Sequence, residues 1–337
     1  MANKAIVYAI YPNTSQDEQC QKTFGCCRFV DNQMLTVQQT RYQKKEKHLS
    51  KTSANNYCNQ HLKKEFPFLR EVDKFALTNA IYHLEDGYER FFKHLGGFPK
   101  YKNKHRARKS YTTNVTNGNI AVGENYVKLP KLGKVKAKIH RRAKENWILK
   151  AATVSQNCDG SYQVSVLYEY EEKILTQVPS SETTIGLCYK SDGLYADSNE
   201  DVCGMPHYYR KSSEKLAKAQ RKLRHKQKGS NNYNKQQKRI ATIHRHIANQ
   251  RKDFLHQKGT AIAKQYAFVC VEDLNIQALS SRSFGNGKAT LDKGYGMFLA
   301  MLEYKLKDKG GRLVKVDKCD HNSAKNIKKE GLRLLTA

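Results

Sequence analysis

The stretch KAIVYAIYP, residues 4–12, alternates apolar and polar positions and stops at a proline. A period of two marks a half-buried strand, so the chain is predicted to begin with one. Over residues 15–97 the period becomes helical: DEQCQKTFGCCRFVDNQML and DKFALTNAIYHLEDGYERFFKHL space apolar side chains three and four apart, and Gly96-Gly97 ends the second run. Between them, LSKTSANNYCNQHLKKEFPFLREV predicts a helix entered from Ser50 or Ser53 and broken at Pro67. From Phe98 to about Glu172, short alternating runs are divided by Gly-Glu-Asn, Leu-Gly and Asp-Gly turns. A small β-barrel is the expected solution, with the first strand paired into it and the helical block as an insertion.

From Glu182 onward the order changes again. TTIGLCYKSDGLYADS, residues 183–198, reads as a hairpin whose Asp192-Gly193 pair supplies the positive φ of a tight turn. Two long polar helices joined near GSNNYN follow, then the apolar strand AFVCVEDLN and a Gly- and Ser-rich stretch over residues 279–296. The helix MFLAMLEYKLKDKG, the strand RLVKV and the segment DKCDHNSAKNIKKEGLRLL close the chain. Strand, hairpin, helices, strand, helix, strand, helix is an α/β order.

Charge changes this picture most. The 337 residues hold 61 Lys and Arg against 31 Asp and Glu, a formal net charge of +30. Such an excess repels itself unless a polyanion neutralises it, which makes nucleic acid the expected partner. No apolar run reaches the roughly 20 residues of a membrane span, so no membrane partner is expected. The 9 cysteines form no C-x-x-C pair, and Cys26-Cys27 suits neither a tetrahedral zinc site nor a simple disulfide. Free thiols in a reducing cytoplasm are expected.

In an open α/β sheet, functional side chains collect at strand ends, and here these are Cys188, Glu272 and Asp320. Magnesium takes hard oxygen ligands in near-octahedral geometry, so a thiol at one corner is a poor substitute for a carboxylate. Asp192 lies too far along the hairpin, and Asp317 on the wrong strand, to replace it. As a nucleophile Cys188 lacks an evident base and orienting group, and a buried inert thiol is the commoner state. The long helices carry Arg221, Lys222, Arg224, Lys238, Arg239 and Arg251 with few acidic neighbours, readable as a solvated coiled-coil face or as phosphate contacts. HRARKSYTTN places Arg106, Arg108 and Lys109 beside Tyr111 and Thr-Thr-Asn, a mixture suited to phosphate and groove contact.

Six motifs in order, KTFGCCRFVDNQML, EFPFLREVDKFAL, GGFPKYK, KLPKLGKVK, HIANQRKDFLHQ and VEDLNI, resemble the TnpB family of transposon-encoded RNA-guided nucleases, relatives of type V CRISPR effectors. The resemblance spans nearly the whole chain. It implies a wedge-type β-barrel over 1–13 and 98–178, a helical recognition domain over 14–97, and a RuvC domain of ribonuclease-H type over 179–337 with a basic helical insertion at 205–265. Two departures stand out. Cys188 occupies the place of the first catalytic aspartate of IGIDLG, while Glu272 matches the second acid and Asp320 in DHNSAKNI the third. The four-cysteine zinc ribbon that family members carry before that helix is missing.

The combination is similar to the nuclease-dead TnpB-like repressors called TldR proteins. By that resemblance the chain is expected to be no enzyme, to bind no zinc and little or no magnesium, and to use a guide RNA as its nucleic-acid cofactor. It would bind target double-stranded DNA beside a short motif contacted by Lys74, Phe75, Thr78, Thr113 and Asn114, form an R-loop, and block RNA polymerase. Phe75 reads equally as helix core on its apolar periodicity. One protein subunit per RNA, in a bacterial cytoplasm at the nucleoid, completes the expectation. The alternatives are an active RNA-guided endonuclease and a DNA-binding protein that acts without RNA.

Overall fold

A computed structural model describes residues 2–171, 177–279, 292–317 and 323–336. The chain divides into two compact units, Met1–Glu172 and Lys173–Ala337.

In the first unit β1 (Ala2–Tyr11) lies near the middle of a seven-stranded sheet. Its neighbours are β7 (Tyr162–Tyr170) and β5 (Gly133–Lys138), both antiparallel, with Tyr8 opposite Val164. The alternation seen in the sequence is the alternation of burial: Ile6, Tyr8 and Ile10 point into the core with Val164, Val166 and Tyr168. The other strands are β2 (Lys109–Asn114), β3 (Ala121–Val122), β4 (Tyr126–Leu129) and β6 (Ile148–Gln156).

Helix α1 (Thr14–Gln43) begins at a reciprocal cap: Gln16 N–H donates to Asn13 Oδ1 at 2.9 Å, and Asn13 N–H to Gln16 Oε1 at 3.1 Å. It buries Cys20, Phe24, Cys27, Val30 and Met34. Ser50 caps α2 (Lys51–Tyr57), which runs through a π turn toward Pro67. Asp73 caps α3 (Lys74–Phe92), whose inner face carries Leu77, Ile81 and Leu84.

The expected barrel is not closed. Among the described residues the strand order β2-β6-β7-β1-β5-β4-β3 ends in two different edges. Strand β3 has only two residues, and the β2 edge meets α3 instead of a strand. There Asn79 Nδ2 donates to the Thr112 carbonyl at 2.9 Å, so a helix side chain satisfies a group that closure would have paired.

The second unit is built on a mixed sheet ordered β10-β9-β8-β11-β12. Strands β8 (Thr184–Tyr189), β9 (Gly193–Asp197) and β10 (Val202–Gly204) are antiparallel neighbours. Strand β11 (Phe268–Glu272) runs parallel to both β8 and β12 (Arg312–Val316). Helices α4 (Tyr208–Arg224) and α5 (Asn231–Gln265) form a hairpin seamed by Leu216, Ala219, Ile243 and Ile247. The end of α5 and α6 (Tyr295–Lys307) cover one face of the sheet, packing Leu255, Ile262, Phe298 and Leu302 on Ile185, Leu187, Val269 and Val271.

Helix α7 (Ala324–Thr336) lies on the opposite face, where Ile327 meets Cys270 and Val316. The β8–β9 hairpin exists, but not for the reason its Asp-Gly pair suggests. Gly193 does not take a positive φ. It sits in β9, where a Cβ would lie 2.7 Å from the Cys203 carbonyl oxygen, so glycine is needed for close strand approach.

Gly186 is a stronger case, because a Cβ there would stand 2.1 Å from the Ala324 carbonyl oxygen and 2.8 Å from Lys328 N. Gly186→Val is expected to destabilise the second unit by about 3 kcal/mol. Gly204→Ala, whose Cβ meets nothing within 4 Å, is expected to stay within about 0.5 kcal/mol of the parent. Urea unfolding of the two variants measures this, and equal midpoints would contradict it.

Candidate functional site

The side chains of a strand alternate between faces, so Gly186, Cys188, Cys270 and Glu272 share the face that carries α7. One step beyond the last register pair, Leu187 opposite Val271, Cys188 and Glu272 sit side by side at the ends of two parallel strands. Glu272 is 8% exposed and Cys188 half-buried. Burial pushes the Cys188 thiol up from its usual value, and the neighbouring Glu272 carboxylate pushes it further. A thiol so placed is protonated at neutral pH, which removes the nucleophile reading.

Two residues that sequence reasoning missed complete the surroundings. Tyr295 is 1% exposed, and its hydroxyl is buried without a hydrogen-bond partner among the described residues. Burial raises its pKa, with smaller contributions from Cys188 and Glu272, which places the phenol near this pair. Lys293 is also 1% exposed. Its ammonium donates to the carbonyls of Lys190, at 3.1 Å, and Ser191, and lies 5.1 Å from the Tyr189 ring centroid. It therefore ties down the β8–β9 turn. Asp292 accepts from Tyr209 N–H at 3.3 Å at the start of α4. The signal was DKGYG, a glycine-flanked charged pair just before an apolar helix, with Gly294 at φ +65° as the hinge into α6.

Asp320 lies outside the described residues. Among the described residues no group of three His, Cys, Asp or Glu side chains comes together to hold a metal. A soft thiol beside one carboxylate is not the hard-oxygen set that magnesium requires, so these two residues do not fit that ion. No hydrolytic step is derived through it.

The expected motif-reading positions divide. Lys74 is exposed, with its ammonium 4.9 Å from the centroid of the half-buried Phe75 ring. Thr78 donates to Asn55 Oδ1 at 2.9 Å, and Asn114 Oδ1 accepts from Asn79 at 3.2 Å. Thr113 is 0% exposed, because odd positions of β2 point into the core with Tyr111, and its hydroxyl is unpartnered among the described residues. As folded, it cannot touch DNA.

The expected backbone contacts divide as well. Arg106 and Arg108 are exposed, whereas Lys109 donates inward to Gln21 and Gln156 at 3.0 and 3.2 Å. Arg221, Lys222, Arg224, Lys238 and Arg239 are exposed on the α4–α5 hairpin and form no ion pair among the described residues. Arg251 differs from them. It is half-buried, its NH1 lies 3.9 Å from Asp292 Oδ1, and its stem packs against Gly294, so it serves the interior of its own unit.

A family model described as a probable transposase matches residues 165–283, a span that takes in Cys188 and Glu272 and stops before Asp320. A second, described as a helix-turn-helix domain, matches residues 1–47, where the structure instead has a strand followed by one long helix. A putative RNA-guided DNA endonuclease of Streptomyces pristinaespiralis is 29% identical over 324 residues, covering 94% of this chain and 77% of that protein. The putative RNA-guided DNA endonuclease InsQ of Escherichia coli K12 is 27% identical over 328 residues, covering 93% and 80%. Among solved structures, a Cas12f1–sgRNA–target DNA complex aligns at 11% identity with a TM-score of 0.46, over 94% of this chain and 89% of that one. A Cas12f ternary complex aligns at 13% identity with a TM-score of 0.35, over 94% and 73%.

Over residues 165–283 and 1–47 the chain is similar to the families that these two models describe. Its two relatives both carry the name of an RNA-guided DNA endonuclease. That finding overturns the expectation that the chain is no enzyme. One altered side chain at a strand end leaves the sheet, the Glu272 carboxylate and the seat of α7 in place, so Cys188 does not by itself define the class. No helix among the described residues is long and apolar enough to cross a membrane.

The state of Cys188 is directly measurable. Its alkylation by iodoacetamide, followed by peptide mass spectrometry, is expected to keep accelerating above pH 9, because a raised pKa postpones thiolate formation. Glu272→Gln removes the nearby negative charge and is expected to move that rise to lower pH. A rate already level at pH 8 would contradict the assignment.

Proposed function

We propose that this chain binds a guide RNA and, through pairing of that RNA, recognises duplex DNA beside a short adjacent motif. The observation that carries the reading is the α4–α5 hairpin, whose exposed Arg221, Lys222, Arg224, Lys238 and Arg239 have no carboxylate partners among the described residues in a chain of net charge +30. A solvated helix face normally balances both signs; this hairpin sets only Glu214 and Asp253 against its many cations, an excess suited to phosphate. The names of the two relatives support RNA guidance and DNA as the target.

In this reading Lys74, Phe75, Thr78 and Asn114 lie against the adjacent motif, and Arg106 and Arg108 against the backbone. Guide pairing opens an R-loop. Occupancy of a promoter by such a complex obstructs RNA polymerase and represses transcription. One protein subunit serves one RNA, in the bacterial cytoplasm at the nucleoid.

The test is purification of the full chain from cells followed by sequencing of the bound RNA and footprinting on DNA that matches its guide segment. A discrete RNA and an RNA-dependent footprint are expected, while a footprint without RNA would overturn the reading. Adding magnesium to the same mixture scores strand scission and separates occupancy from cutting. A triple substitution, Arg221→Gln, Lys222→Gln and Arg224→Gln, is expected to lower the slope of log affinity against log salt by about 2, at about 0.7 per lost contact to single strands. An unchanged slope would remove the hairpin from the interface.

A further inference from the structure

The first unit holds a cavity of about 590 Å³ at the C-terminal turns of α1 and α3, bordered by the loop after α3. Neither the strand-end pair nor the basic hairpin uses it. Its wall is aromatic: the rings of Tyr88, Phe91, Phe92 and Phe98 are linked by contacts with centroids 5.2–6.5 Å apart. A hydrophobic core would hide such rings, yet Tyr42 is 84%, Phe92 68% and Phe98 43% exposed. Exposed rings around a concavity are a cost to a monomer unless something stacks on them.

The polar groups around the rings suit a heteroaromatic edge. The Gln43 side chain makes no hydrogen bond among the described residues, and the Gln39 side chain uses only Oε1, accepting from Tyr101 at 2.8 Å, so its amide N–H groups are available. Tyr88 is 5% exposed, and its buried hydroxyl has no hydrogen-bond partner among the described residues. Behind it, Glu85 accepts from Gln38 at 2.9 Å and pairs with His48 at 2.6 Å, which fixes the floor.

The rim is cationic. Lys44, Lys45 and Lys47 follow Gln43, and Lys93 follows Phe92; all four are exposed without an ion pair among the described residues. A second copy of the chain would bring its own lysines against these, a like-charge contact that disfavours self-association. Flat π faces, free amides and unpaired cations together are the equipment of a single-stranded nucleic acid site.

We propose that this cavity binds an unpaired nucleobase of single-stranded RNA, stacked on Phe92 and Tyr42 and met at its edge by the Gln39 and Gln43 amides. Lys44, Lys47 and Lys93 hold the flanking phosphates. The inference rests on the nucleic-acid reading above but concerns a different surface, so the two can fail separately.

The test uses the full chain with a fluorescein-labelled octauridine and, in parallel, a 5-iodouridine version for photo-crosslinking. Phe92→Ala, at a side chain too exposed to hold the fold, is expected to weaken octauridine binding by about tenfold, and Phe92→Trp to restore it. Crosslinks are expected in peptides that contain Tyr42 or Phe92. Unchanged affinity in Phe92→Ala, or crosslinks confined to α4 and α5, would overturn the pocket while leaving RNA binding by the hairpin intact. A change in sedimentation from dimer to monomer in Phe92→Ala, with RNA affinity unaltered, would assign the surface to a second copy and overturn it too. If the parent chain binds no RNA, both readings fall.

Discussion

The second unit depends on backbone-to-backbone contact between α7 and the sheet. At Gly186 the helix comes so close that a Cβ would fall 2.1 Å from the Ala324 carbonyl oxygen, and at Gly331 a Cβ would fall 2.1 Å from Cys270 Sγ. Removing a side chain from each partner lets the helix lie in a groove of the sheet where neither could have packed with one. That seat fixes the face on which Cys188 and Glu272 stand. The opposite face is held by ordinary apolar packing from α5 and α6.

Charge is organised along a second principle. Cations that serve the fold are paired or packed: Lys102 with buried Asp31, Lys109 with Gln21 and Gln156, Arg251 near Asp292, Lys293 over the hairpin turn. Exposed cations with no ion pair among the described residues include those of the α4–α5 hairpin and those at the ends of α1 and α3. The distinction matters more than the total, because only an unpaired and exposed cation has its full charge to offer a phosphate.

Much of the fold was legible in local pattern. The burial of β1 repeats its apolar alternation, Ser50 and Ser230 cap the helices that follow them, and the break near GSNNYN separates α4 from α5. The departures have physical causes. Among the described residues the barrel is open, and the β2 edge that a strand was expected to cover meets α3, whose Asn79 donates to the Thr112 carbonyl. Gly193 reads as a turn residue, yet it is a packing residue facing the Cys203 carbonyl. Thr113 and Asn114 look equivalent in the sequence, but the pleat sends one inward and the other to the surface. Lys293 gave little signal, because a lysine in a polar stretch looks solvated until three groups of a distant hairpin close around it.

By itself the sequence determined periodicity, capping, net charge and the identity of the residue at the end of β8, since each is a property of neighbours along the chain or of composition. The tertiary structure decided which cations lack an ion pair among the described residues, which face each strand residue takes, that the half-buried Cys188 stands beside Glu272, and that four aromatic rings from α3 and its following loop border a cavity beside the last turn of α1. These are properties of groups distant in sequence. Their energies depend on burial and on a few ångströms of separation, quantities that exist only once the chain has folded.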